Sequence, residues 1–434
     1  MLVYSEKRSN RLTYILRTLL LEGLGIEFKQ TSDDVEFGNY QGPKIAYSNR
    51  EFNNAIQIKP EPILFEHGIK DYRIEVSQHA SLQRIFFKNA GKDLPFDVFA
   101  ASFWLLSRYE EYLPHKTDKH NRFQYKNSLA YQYDFLDKPL VNFWLEAIRE
   151  LLHQRFPEQI LLKRKYNFIS TVDVDAVYKY KFKGFVRSVA GLISDKRFSK
   201  MRRRLQIMLG REKDPFDCYD FILDVHRQTN SKLVFFFLLG DYGPNDKNHS
   251  ATDLRFQKLI KHVADYAVVG LHPSFRSNTE PHQLRVELSR LGNITHRFVS
   301  RSRQHFSMLR FPDTYFNLEQ AGLKSDFSMG YPDHNGFRAS YCYPFKWFNL
   351  DKESVSSLTV HSYCVSDYTL IESGEHSANQ MMHTLEVHSA LIKSFGGEFV
   401  TLFRNENFTP EIRALYEKMV KSITISASQE VQPL

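Results

Sequence analysis

Cysteine is scarce. The 434 residues hold three, Cys218, Cys342 and Cys364, and no two form a CxxC pair. A disulfide framework and a cysteine-built zinc site are therefore not expected, and a reducing compartment is the default. Long apolar runs are missing too: no stretch reaches the ~18 residues that a membrane-spanning helix needs. The first residues, MLVYSEKRSNRLTYILRTLLLEGLG, lack the layout of a secretory signal. Leu12, Ile15, Leu16, Leu19 and Leu20 recur at helical spacing, and Arg11 and Arg17 interrupt them. This predicts an amphipathic helix and a cytoplasmic protein. No internal repeat or low-complexity tract stands out.

What is present is an ordinary globular composition, 42% apolar and 25% charged, of a length that suggests two domains. Aromatics reach 14%, mostly Phe (36) and Tyr (23). They suit a Phe-rich core first, and otherwise a cleft where flat rings stack on sugar faces. The net charge is +8. Part of it lies in Lys196–Lys213, KRFSKMRRRLQIMLGREK, which reads either as a solvated helical insertion or as a contact for an anionic polymer or membrane surface. Nucleic acid is not an expected partner.

The chain changes texture near residue 160. Residues 1–160 read as an α+β unit of short extended runs (Ile56–Ile58, Ile63–Phe65) and helices (Phe96–Tyr112, Leu140–Arg155), with scattered histidines and no catalytic constellation. From 161 to about 425, apolar runs alternate with helical stretches. The runs are Asn167–Val172, Leu233–Leu239, Ala267–Leu271, Leu358–Val360 and Phe399–Phe403. Such alternation predicts a parallel α/β sheet or a β/α barrel. Residues 426–434 read as a flexible tail.

In a β/α barrel the chemistry sits where strands end. The run NFISTVDVD ends in Asp173 and Asp175, two apart and so on one face of an extended segment. Two such carboxylates repel unless a cation or proton lies between them, which suits a metal ligand beside a general base. Asp caps in a turn would look the same. YAVVGLHPSF ends in His272, a ligand position for zinc or a satisfied structural histidine. Arg303, His305, Arg338, His361 and Asp367 recur after later runs.

Taken in order, STVDVDAVY, DPFDCYDFILDVH, FFFLLGDYGPNDKN, VGLHPSF, SRQHFSMLRFPDTY, SDFSMGYPDHNGFRAS, LTVHSYCVSD and GGEFVTLFRNENF resemble the polysaccharide deacetylases of the NodB-homology type (carbohydrate esterase family 4). The closest likeness is to a bacterial branch with an uncharacterised N-terminal domain. The resemblance implies a distorted (β/α) barrel, one divalent metal ion, commonly zinc, and removal of N- or O-acetyl groups from an acetylated glycan or sugar precursor. It implies Asp173 as general base, Asp175 and His272 as metal ligands, Arg303 as a motif arginine and Arg338 as the arginine that orients the base.

Two departures stand out. Arg276 occupies the place of the family's second histidine ligand, and Arg404 that of its general-acid histidine. Arginine stays protonated and can neither shuttle a proton nor ligate a metal. His305 then becomes the candidate third ligand and His361 the candidate acid, with Asp367 as its orienting partner. If neither compensates, the barrel is a catalytically impaired glycan-binding module.

Overall fold

The computed structural model describes residues 1–181, 198–372 and 377–428. Its first sheet joins β1 (Leu2–Ser5), β2 (Lys29–Thr31), β3 (Lys44–Tyr47) and β4 (Ile56–Ile58) in the order β2-β1-β3-β4, and every pairing is parallel. All residues of β1, β3 and β4 are buried, as parallel strands covered on both faces require. The expected first helix forms at Asn10–Leu16, where the Ser9 side chain accepts the Leu12 N–H, and continues as a π-wound turn to Gly23. Leu12, Ile15, Leu16, Leu19 and Leu20 are fully buried. A small antiparallel hairpin, β5 (Ser77–His79) and β6 (Gln83–Ile85), follows.

The helix expected over 96–112 is shorter. Asp97 caps it and Val98–Leu106 is helical, but Arg108 adopts a left-handed backbone (φ 56°) and a 3-10 turn takes over. The helix Leu140–Arg155 forms as expected.

Among the described residues, the larger sheet holds nine strands: β7 (Asn167–Val174), β8 (Lys232–Leu238), β9 (Val268–His272), β10 (Arg301–Ser302), β11 (Ser325–Asp326), β12 (Phe345–Asn349), β13 (Ser354–Val360), β14 (Tyr363–Ser366) and β15 (Glu398–Arg404). Their order is β12-β13-β11-β10-β9-β8-β7-β15-β14, and only the β12–β13 pair is antiparallel. The two-residue strands β10 and β11 were not foreseen, because neither carries an apolar run.

The expectation is a distorted (β/α) barrel; among the described residues the ladder does not close into a ring. β13 and β14 are one run of chain broken at His361 and Ser362. The first part pairs with β11 and the second with β15. The sheet nonetheless curls strongly. The rings of Phe236 on β8 and Phe327 after β11 lie 5.4 Å apart, although three strand spacings of ~4.8 Å would separate them in a flat sheet. Ile169, Val234, Phe236, Phe327, Tyr363, Val400 and Leu402 fill the concave face. Gly270 permits this packing, since a Cβ there would come within 2.6 Å of the Phe236 ring.

The expected boundary at 160–161 falls between the helix ending at Arg155 and β7. The two halves nevertheless share one apolar core. Arg11 crosses to Glu353, its Nε donating at 2.9 Å, and Arg108 and Arg338 converge on Glu111. The last helix, Pro410–Ser428, runs past the expected start of the tail at 426, and the residues beyond it lie outside the described ones. Among the described residues, no helix is long and apolar enough to cross a membrane.

Candidate metal centre

Strand ends on one side of the curled sheet bring five charged groups together. β7 supplies Asp173 and leads into Asp175. β9 ends at His272, and the segment after β10 carries Arg303 and His305. The donor atoms of Asp175, His272 and His305 all lie within 4.8 Å of one another. His272 Nε2 stands 3.0 Å from Asp175 Oδ1 and 4.0 Å from Asp173 Oδ2, and His305 Nε2 stands 3.6 Å from Asp175 Oδ1.

Both imidazoles are held from behind. His272 Nδ1 lies 2.5 Å from the Arg303 carbonyl oxygen, so it donates there. His305 Nδ1 lies 3.0 Å from Asp246 Oδ1. Each ring therefore has its second nitrogen committed and turns Nε2 toward Asp175, the arrangement that orients histidine ligands in metal sites. Asp246 itself is fixed by the Phe275 N–H at 2.8 Å. It had not been singled out. It lies in the FFFLLGDYGPNDKN segment, 59 residues from His305, and no local spacing links the two.

The electrostatics fit a cation. Burial opposes charge on Asp175, but His305 and His272 outweigh it and hold the carboxyl well below the usual carboxylate range. Burial likewise opposes charge on His305, yet Asp175 and Asp246 raise it to about 9. Among the described residues, buried Asp175 Oδ1 and Asp173 Oδ1 have no hydrogen-bond partner. Unsatisfied buried oxygens are costly, and convergent ones suit a bound ion.

Among the described residues, Arg303 is the arginine within 4 Å of Asp173. It is fully buried between Phe236 and Tyr363, donates to Thr171 Oγ1 at 2.8 Å and brings Nε to 3.8 Å from Asp173 Oδ1. Arg338 is engaged elsewhere. Its Nε and Nη2 donate to Glu111 at 2.9 and 2.5 Å, and its Nη1 to the Gly330 carbonyl at 3.2 Å. Bidentate pairing with buried Glu111 commits that guanidinium to the junction of the two units.

His361 also lies apart. Its Nδ1 is 2.6 Å from Oε1 of Glu398, the first residue of β15, while Arg404 at the other end of that strand pairs in register with Asp173. About 20 Å of strand separates those ends. The ring stacks on Phe327 at 4.4 Å and lines a cavity of about 930 Å³ among Asn167, Lys232, Val268 and Arg301, residues at or near the starts of the strands. His361 therefore stands at the mouth opposite Asp173. Its expected partner Asp367 instead accepts the Arg404 backbone N–H at 2.7 Å and its Nη1 at 3.0 Å. Arg276 is on the surface, paired with Glu280 at 2.9 Å.

Residues 1–157 match a protein family described as a family of unknown function, DUF7033. No curated protein matches the sequence significantly. Three solved structures give the range of likeness. A Mycobacterium smegmatis protein provisionally assigned as a polysaccharide deacetylase is 14% identical, with 63% of this chain and 93% of that one covered and a TM-score of 0.37. A pseudoenzyme of carbohydrate esterase family 4 from Bacillus anthracis is 9% identical over 62% of this chain and 63% of that one, TM-score 0.32. A family 4 carbohydrate esterase from Streptomyces lividans, solved with acetate, is 11% identical over 62% and 91%, TM-score 0.31. The structural neighbours of this chain are thus carbohydrate esterase family 4 proteins, enzymes and pseudoenzymes alike.

Proposed function

We propose that this chain is a metal-dependent hydrolase that removes N- or O-acetyl groups from a carbohydrate, an acetylated sugar precursor in the cytoplasm. The observation that carries this reading is the convergence of Asp175, His272 and His305 within 4.8 Å, beside Asp173 and Arg303. A carboxylate and two imidazoles, which bind a metal through deprotonated Nε2, suit a divalent ion, zinc above all.

When bound, such an ion supplies an acidified water and a Lewis acid for the acetyl oxygen. Asp173 is the proton acceptor in this reading, because its Oδ1 has no hydrogen-bond partner. Arg303 orients Asp173, its Nε lying 3.8 Å from Oδ1. Arg404, whose charge is favoured by Asp367, Asp175 and Asp173 against the cost of burial, is placed to donate hydrogen bonds but not protons. That same substitution favours a second reading, a barrel that holds an acetylated glycan without cleaving it.

One experiment separates the two. Acetate release from acetylated chito-oligosaccharides and acetylxylan is measured with and without added zinc. Hydrolysis predicts zinc-dependent release that Asp173→Asn abolishes. Equal release by wild type and variant refutes the role of Asp173, and glycan binding without release supports the second reading.

A further inference from the structure

The Lys196–Lys213 stretch has no place in the metal centre, and its described side chains begin at Met201. It belongs to a long excursion between β7 and the helix Tyr219–Thr229. Asp214 clasps the base of that excursion. Only 1% exposed, its carboxylate accepts backbone N–H groups from Lys179 and Tyr180 at 2.8 Å and from Lys181 and Phe216 at 3.1 Å. The clasp begins four residues after Asp175, so Asp214 is tied close to the strand end that carries the candidate metal centre.

The helix Phe198–Met208 turns Arg204 and Ile207 inward. Outward it presents Leu205, Met208 and, just beyond its end, Leu209, which are 41%, 39% and 67% exposed. With half-buried Met201 they follow i, i+4, i+7, i+8 spacing, one apolar stripe. Exposed Arg202, Arg203, Arg211 and Lys213 flank it. Arg203 meets Glu212 at 3.4 Å and Lys213 meets Asp217 at 4.0 Å, whereas Arg202 and Arg211 have no ion-pair partner among the described residues.

We propose that this helix is a membrane-surface element that seats the catalytic mouth on an anionic lipid bilayer. Arginines alone would serve any polyanion. A polyanion gains nothing from Leu205, Met208 and Leu209, whereas the headgroup boundary of a bilayer accommodates apolar side chains and attracts the cations around them. The binding does not depend on the deacetylase reading. Only its consequence does: an acetylated substrate would then be met at the lipid surface.

The test is co-sedimentation of the purified full chain with phosphatidylcholine vesicles and with vesicles rich in phosphatidylglycerol. Binding is expected only to the second, weakening as salt rises. R202Q/R203Q/R211Q should weaken it about a hundredfold, since each arginine near an anionic surface contributes roughly one factor of five. L205S/M208S/L209S should leave a weak association that salt removes entirely. Leu209→Ser alone gives the same comparison should the triple variant fail to fold, and far-UV circular dichroism checks each. No binding to anionic vesicles, or binding indifferent to the arginines, overturns the proposal. Binding indifferent to the apolar substitutions and displaced by soluble polyphosphate overturns it in favour of a polyanion surface. Acetate release from a soluble substrate should be the same in all variants, which keeps this outcome separate from that of the proposed function.

Discussion

Asp246 grips His305 by its Nδ1 at 3.0 Å and so turns Nε2 toward Asp175. A carboxylate behind a histidine fixes the tautomer and strengthens the ring as a donor. Asp246→Asn should therefore lower zinc affinity by about 10- to 100-fold while the chain stays folded. Isothermal calorimetry of zinc binding checks it. Unchanged affinity would mean that His305 does not ligate.

The structure separates His361 from Asp173, and their variants should differ accordingly. His361→Gln should leave acetate release and zinc content within about twofold of wild type, because its ring pairs with Glu398 at the opposite mouth. Asp173→Asn should lose release and keep zinc. Steady-state kinetics together with metal analysis reads both.

Glu111 joins the two units. It is 2% exposed on its side chain and accepts from Arg108 Nε at 2.8 Å and from both ends of the Arg338 fork. Glu111→Ala leaves the buried Arg338 guanidinium without a carboxylate, while Arg108 keeps Glu110 at 2.7 Å, a loss of about 3–5 kcal/mol. Urea unfolding measures this. A change below about 1 kcal/mol would show that water or a rearranged carboxylate takes over.

His226 predicts an acid-sensitive fold. Buried against Tyr416, with Nε2 2.8 Å from its hydroxyl, it is held down by burial from 6.5 to about 4. A folded pKa below the unfolded one gives stability that is complete above pH ~6.5 and lost as pH falls toward 4, at most about 3 kcal/mol. His226→Gln should be less stable than wild type at pH 7, and the gap should narrow by pH 4. Thermal midpoints at pH 7, 5.5 and 4 test the sign.

Much of the fold was legible. The runs that became β7, β8, β9 and β15 were visible because buried parallel strands are largely apolar, whereas β13 showed only its apolar end at Leu358–Val360. The helix Leu140–Arg155 showed its 3.6-residue period and was expected with those ends. Strands β10 and β11 were not legible, since two residues each carry no period. The curl and its break at His361 and Ser362 depend on pairings with strands distant in the chain, which no local pattern encodes.

Sequence alone determined which chemistry is available: carboxylates at the end of one strand, a histidine at the end of another, and arginines where proton carriers were expected. Local composition suffices for that, because residue type sets what a group can donate or bind. Tertiary structure decided which groups meet. Asp246 reaches His305, Arg303 rather than Arg338 faces Asp173, and His361 goes to the other mouth. The cause is the curl of the sheet, which sets residues from non-neighbouring strands a few ångströms apart and sends the two ends of one strand to opposite mouths.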